Sequence, residues 1–255
     1  EDLAVLRGRR ESVEERIKLL EEQEATREGV SPGVRQILSE ASENSYPGIV
    51  GLVADNISVD MRFAALIDAA LGSAAQGLIV ERSGDFANLT NELDLQGRVE
   101  LHPLDWLQTP RLRSRALDKD SRLFGRADQL IECTDQVKPL IEQLLGSTYI
   151  LDADVAELLV LRVRHPDVTL ISREGDVVSP EGTISLSSRQ AAPGLVSRRS
   201  ELNTLRETLV RLEERISSSD HEVGQLRENV VQQEVVVRQI AGALEQLREQ
   251  LSDQR

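Results

Sequence analysis

Aromatic residues are nearly missing from this chain: one Trp, two Tyr and three Phe among 255 residues. A globular core ordinarily draws much of its buried area from aromatic rings. This one must be built from Leu, Val, Ile and Ala, the materials of coiled coils. Cysteine is equally scarce. Cys133 stands alone, which excludes an intrachain disulfide, fits a reducing compartment, and reads as a small buried hydrophobe. No run approaches the ~20 apolar residues that cross a bilayer, so no membrane partner is expected. The three histidines, His102, His165 and His221, have no partner at metal-ligand spacing. There is no C-x-x-C, no G-x-S-x-G, no G-x-G-x-x-G and no G-x-x-x-x-G-K-[ST]. The sequence therefore offers no catalytic residue, no metal ligand and no cofactor site, and an enzyme is not expected. A net charge of −14 repels nucleic acid at long range, so any DNA contact must come from a local basic patch.

What the chain does contain is a rod at each end. In the first, residues 1–29, Leu3, Leu6, Val13, Ile17 and Leu20 fall on alternating three- and four-residue steps, with Arg10 as the polar member. In the second, residues 198–255, the steps run Leu202, Leu205, Leu209, Leu212, Ile216, Ser219, Val223, Leu226, Val230, Gln233, Val237, Ile240, Leu244, Leu247 and Leu251. A strict seven-residue repeat of this length predicts a left-handed supercoil with a partner helix. If the middle of the chain returns to where it entered, the rods pair antiparallel with each other. The chain opens at Glu1 in mid-helix register, without Met or signal peptide, and is expected to be cut from something longer.

The middle reads as α/β. Ile49 to Ala54 predicts a buried strand, Arg62 to Leu71 a helix with Phe63, Leu66, Ile67 and Ala70 on one face, and Leu78 to Val80 a second strand. Val34 to Leu38 reads as one helical turn, Asp85 to Leu95 as a helix and Arg98 to Leu101 as a strand closed by His102-Pro103. Gln129 to Glu132, Ser147 to Leu151, Val168 to Ile171, Val177-Val178 and Thr183 to Leu186 read as strands, and Val137 to Leu145 and Asp154 to Arg164 as helices. An internal repeat is visible. Leu71-Gly72-Ser73, a strand and Asp85-Phe86-Ala87-Asn88-Leu89 match Leu145-Gly146-Ser147, a strand and Asp154-Val155-Ala156-Glu157-Leu158. Each Gly suits a left-handed helix stop and each Asp a helix cap. The reading is two similar subdomains, residues 30–107 and 127–197, split by a basic linker at 108–126.

Two basic clusters are the candidate DNA contacts: Arg111, Arg113, Arg115, Lys119, Arg122 and Arg126 in the linker, and Arg189, Arg198 and Arg199 at the root of the second rod. Both could equally pair with acidic neighbours. Asp55 and Asp105 follow strands and read as turn-forming carboxylates.

Gly33-Val34-Arg35, Pro47-Gly48-Ile49-Val50-Gly51-Leu52-Val53-Ala54-Asp55, Ala69-Ala70-Leu71-Gly72 and Leu78-Ile79-Val80-Glu81 resemble the hinge domain of the structural maintenance of chromosomes (SMC) proteins. So do Leu101-His102-Pro103-Leu104-Asp105, Leu144-Leu145-Gly146-Ser147-Thr148, Val168-Thr169-Leu170 and Gly175 to Gly182, with Leu195 to Leu202 like the exit into the coil. The resemblance implies two mixed α/β subdomains in a hinge, flanked by an intramolecular antiparallel coiled coil seamed by Leu6, Val13, Ile17, Leu20, Leu202, Leu205, Leu209, Leu212 and Ile216. It implies a homodimer through the hinge, with a heterodimer as the alternative, and a role in chromosome condensation and segregation in the cytoplasm, at the nucleoid, of a bacterial parent. By resemblance, that parent hydrolyses ATP at heads outside this segment, and DNA contact is weak here or confined to the full-length protein. The dimer contact would fall on Gly182, Thr183, Ile184, Ser185, Leu186 and Ser187. There the family carries Gly-Gly, three residues, Gly-Gly, and this chain keeps only Gly182 of the four. A second reading from the rods alone is a coiled-coil scaffold, unrelated to chromosomes, with a protein-binding globular insert.

Overall fold

One sequence of elements occurs twice in succession. The first copy is β1 (Ile49–Leu52), a 3-10 turn (Ala54–Asn56), β2 (Ile57–Val59), α3 (Met61–Leu71) and β3 (Leu78–Val80). The second is β5 (Leu123–Arg126), a 3-10 turn (Ala127–Leu130), β6 (Ile131–Cys133), α4 (Lys138–Leu145) and β7 (Thr148–Leu151). Each copy then adds a parallel strand: β4 (Leu101–Pro103) beside β3, and β8 (Thr169–Ile171) beside β7. In each, the opening strand pairs antiparallel with the third and carries an irregularity ending at a glycine, Gly51 or Gly125. The copies meet where β2 pairs antiparallel with β6, Ser58 opposite Glu132. This is a computed structural model, and it describes residues 2–44, 48–84, 95–107, 117, 120–188 and 192–253.

The copies differ at one edge. In the second, β8 carries β9 (Val177–Val178) antiparallel on its outer side, and β9 carries β10 (Ile184–Ser185), giving the order β10-β9-β8-β7-β5. In the first, the order among the described residues is β1-β3-β4.

Local sequence accounts for the helices. Asp60 caps α3 by accepting from the Arg62 amide at 2.9 Å. Asp154 closes a reciprocal capping box with Glu157 at the start of α5 (Val155–Arg164). Gly72 has φ +52, as a left-handed stop requires, but Gly146 ends α4 at φ −74 and needs no glycine on that account. Pro32 opens α2 (Pro32–Asn44), a helix of 13 residues where a single turn was expected; proline suits a first helical position, and Val34 and Ile37 bury one face.

Three corrections concern strands. Ile57–Val59 is a strand that sequence patterning does not flag, because three residues carry too little periodicity. The expected linker ends in β5, and its Leu117 is buried in the second copy's core, so folded structure begins before residue 127. β4 lies at 101–103 instead of 98–101. His102 bonds to β3, so Leu101 and Pro103 direct their backbone to the outside, and the missing proline N–H interrupts no ladder bond.

The core is aliphatic, as the composition requires. Val53, Ile67, Ile79, Leu145, Ile150 and Ile171 from both copies are buried in one cluster. Each such side chain contributes roughly 1.5–3 kcal/mol by leaving water. Leu78 and Val80 turn to a second cluster with Val34 and Ile37, and Tyr149 and Leu151 to a third with Leu158 and Leu161.

Two compact units are present, Leu19–Thr204 and a helical unit of Glu1–Lys18 with Leu205–Arg255. The helical unit belongs to α1 (Asp2–Ala25) and α6 (Leu195–Asp253). Within it Arg7 forks onto both Asp220 oxygens at 2.8 Å. Buried Ile17 follows Arg7 on one helix while buried Leu212 and Ile216 precede Asp220 on the other, so the helices run antiparallel. Leu6, Val13, Leu205 and Leu209 are half-buried along the same seam, whereas Leu226, Val230, Val237, Ile240 and Leu244 are exposed.

Gly77 leaves room for a neighbour. A Cβ there would lie 2.3 Å from Nε2 of His102, which is buried and has no hydrogen-bond partner among the described residues. Gly77→Ala is expected to cost about 1–3 kcal/mol in urea denaturation, and less in a His102→Ala background. Burial also holds the His102 base below its ordinary value of 6.5, with Glu100 opposing the shift. The unfolded chain therefore takes up the proton first as pH falls through 6.5, and stability falls with it. That loss between pH 7.5 and 5.5 should shrink in His102→Gln.

Candidate functional site

Residues Gly182 to Ser187 form the outer margin of the five-stranded sheet, and all six are exposed. Gly182 sits in the β9–β10 turn at φ +90, which is why a glycine is kept there. Ser179 N–H donates to Thr183 O, so the bonded pairs across this hairpin are 179/183 and 177/185. Ile184 and Leu186 therefore direct their own N–H and C=O groups to the open side. Ile184 lies opposite Val178, whose side chain packs with Leu158 and Leu161 of α5, so Ile184 and Leu186 project on the α5 face. Their exposures are 46% and 71%. The open margin thus offers backbone partners and apolar side chains from the same two residues.

Both ends of β10 are fastened. Arg162 of α5 donates from Nε to Ser179 O at 3.1 Å and from a terminal nitrogen to Pro180 O. Asp176 accepts from the Ser187 amide at 2.8 Å and from the Ser172 hydroxyl at 3.0 Å. Ser172 also receives the Asp176 and Glu174 amides.

The root of α6 is a second built feature. The Asp68 carboxylate, on α3, accepts from the backbone N–H groups of Val196 and Ser197 at 2.9 and 2.8 Å and from the Ser197 hydroxyl. It satisfies donors that a helix start leaves open and places a negative charge at the positive end of the helix dipole. Gly194 makes the approach possible, since a Cβ there would fall 2.2 Å from the Asp68 carboxyl carbon.

The basic residues read as DNA candidates divide three ways. Arg111, Arg113, Arg115 and Arg189 lie outside the described residues. Arg198 donates to the Glu28 carbonyl at 2.7 Å, and Arg199 pairs with Asp55 at 2.8 Å. These two are occupied at the arm root, where they line a cavity of about 240 Å³ with Glu24, Glu28 and Asp55. Arg122 and Arg126, from the linker cluster, fork onto Asp120 and Asp128, each two residues away. Hydrogen bonds from Arg122 hold the Asp120 carboxyl down at about 2.

The remaining candidates are structural. Asp105 accepts the Ser83 amide and hydroxyl at 2.9 and 2.8 Å. Cys133 is half-buried beside the main cluster, and burial pushes its thiol up, away from the reactive thiolate. No cluster of metal ligands occurs among the described residues. No described helix is long and apolar enough to cross a membrane. Asp68, Arg162 and Asp176 are the residues sequence reasoning missed; Asp68 alone left a trace, as the one charge late in the apolar helix M-R-F-A-A-L-I-D-A-A-L.

Asp68→Ala should cost about 1–3 kcal/mol in chemical denaturation, because two helix-end donors lose a charged acceptor. Asp68→Asn should cost less.

Residues 46–159 match the family model for the SMC proteins flexible hinge domain. The chain is similar to the chromosome partition protein Smc of Rhodopirellula baltica, 33% identical over 229 residues, which are 89% of this chain and 19% of that protein. It is also similar to the Smc of Halothermothrix orenii, 28% identical over 202 residues, 77% of this chain and 17% of that protein. The chain thus spans about a fifth of the length of these relatives. Among solved structures it is similar to an asymmetric dimer of the Geobacillus stearothermophilus SMC hinge domain, with TM-score 0.67, 29% identity, and coverage of 87% of this chain and 94% of that one.

Proposed function

The chain carries the flexible hinge domain of the SMC proteins, and from that premise we propose that two copies join through their open sheet margins, β10 of one against β4 of the other. The carrying observation is the unequal ends of the two repeats. β8 has an antiparallel strand on its outer side, and among the described residues its counterpart β4 has none. The outer side of β4 presents the Leu101 N–H and the Leu101 and Pro103 carbonyls, and open edge groups of this kind template strand addition. β10 is a strand with an open outer side. By the repeat, the incoming strand runs antiparallel to β4, as β9 does to β8. Ile184 and Leu186 supply apolar cover, and the same contact made twice about a two-fold axis closes the pair.

The Geobacillus hinge domain, similar over most of this chain, was solved as an asymmetric dimer, which supports association of two hinges and does not bear on the two-fold closure. On this reading Gly182 to Ser187 form the contact although three of the family's four glycines are replaced, because side chains at 183–187 point along an open margin and not into a packed interior. The hinge joins two coiled-coil arms in a chromosome partition protein working in the cytoplasm at the nucleoid. ATP hydrolysis would belong to parts of that protein outside these residues, and we assign no cofactor to the hinge. A DNA contact, if made by this segment, falls to Arg111, Arg113, Arg115 and Arg189 and not to the engaged Arg198 and Arg199.

Light scattering after size exclusion tests this. The chain should give about twice its 28.3 kDa at high concentration, and Leu186→Arg should give a single chain under the same conditions. Association that survives Leu186→Arg would place the contact on the helices instead. A single-chain mass at every concentration would overturn homodimerisation through these edges.

A further inference from the structure

We infer that Arg162 and Asp176 are positioning residues for hinge association, which hold β10 extended before a partner arrives. The inference rests on the dimer reading above.

β10 is two residues long, exposed on its outer side, and followed by exposed chain. A strand that short has little of its own to resist fraying. Left to itself it would be a loop, and ordering each residue on association would cost roughly 1–2 kcal/mol. Two polar ties remove that cost, one at each end. At the entry, the planar guanidinium of Arg162 holds two consecutive carbonyls, Ser179 and Pro180, and fixes the turn that feeds β10. At the exit, the Asp176 carboxylate receives the Ser187 amide.

Neither tie is a surface accident. Ser172 has no exposure and Asp176 has 8%, so the exit tie is rooted in buried structure. Within a turn of Ser172 to Asp176, the Ser172 hydroxyl donates to the carboxylate and receives two amides. Burying a carboxylate is costly unless its hydrogen bonds are made, and here one oxygen serves the turn while the other reaches the margin. Arg162 lies on the half-buried flank of α5, next to Leu158 and Leu161, whose burial fixes the helix. Neither residue projects from the open side where the partner strand would lie. Their effect on association comes through the shape and order of β10.

The test uses the whole chain and two independent variants, Arg162→Ala and Asp176→Ala. The dissociation constant is read from mass against concentration, the melting temperature at a dilution where the chain is single, and amide exchange at Ser185 and Ser187 by NMR. Each variant should raise the dissociation constant about tenfold or more, the equivalent of one charge-assisted hydrogen bond. Exchange at Ser185 and Ser187 should accelerate while Arg162→Ala leaves the melting temperature of the single chain nearly unchanged. Arg162→Lys, which keeps one of the two bonds, should recover part of the affinity. If Asp176→Ala fails to fold, the Arg162 pair alone decides. A wild-type dimer whose dissociation constant is unmoved by Arg162→Ala would overturn this inference and leave the dimer reading standing. A wild type that stays single at all concentrations would overturn both.

Discussion

Backbone N–H and C=O groups must find partners, and a sheet edge is where a chain runs out of its own. That constraint organises this molecule. Two copies of one strand, turn, strand, helix, strand pattern are folded together across β2 and β6, and the second copy extends its outer edge with β9 and β10 while the described residues of the first do not. On the proposed reading, that asymmetry lets each chain both donate and accept a strand. On that reading a second copy of the chain covers both the β4 and the β10 margin, and a two-fold axis makes the contact twice.

The same economy appears at the arm root. α3 buries Leu66 and Ile67 in the cluster shared by both repeats, and from the next turn extends Asp68 to the first amides of α6. Arg198 and Arg199 add ties to Glu28 and Asp55 within the same unit. The start of the long helix is thereby fixed to the element that joins the two repeats. A change of arrangement between the repeats would have to move α3, and α3 would carry the beginning of α6 with it.

Much of this was legible in the sequence, for physical reasons. Heptads announce themselves through a period that repeats many times, and Ile17, Leu212 and Ile216 of that period are buried. Strands β1, β3 and β7 are apolar runs bounded by turn residues, and Asp154 caps its helix as its spacing to Glu157 suggests. β2 was hidden because its three residues carry no period and no turn residues frame an apolar run, while β6 was read two residues early, at Gln129 to Glu132. Their repeat was nonetheless written in Gly51-Leu52-Val53-Ala54-Asp55 and Gly125-Arg126-Ala127-Asp128, an alignment the Leu-Gly-Ser match should have prompted. The pairing of Arg122 and Arg126 with aspartates two residues away was local and readable. The Asp68 clasp spans 128 residues and the β10 ties join separate elements, so no window of sequence contains them.

The most direct measurement is a crosslinking test between the two margins in a Cys133→Ser background. One preparation carries Leu101→Cys on β4, the other Ile184→Cys on β10, and a short bis-maleimide is added to each alone and to their mixture. Pairing of β10 with β4 gives linked dimers in the mixture and little in either preparation alone. Linked dimers formed by the Ile184→Cys chain with itself, at the yield of the mixture or above, would contradict it, because they would place two β10 strands side by side and leave β4 bare.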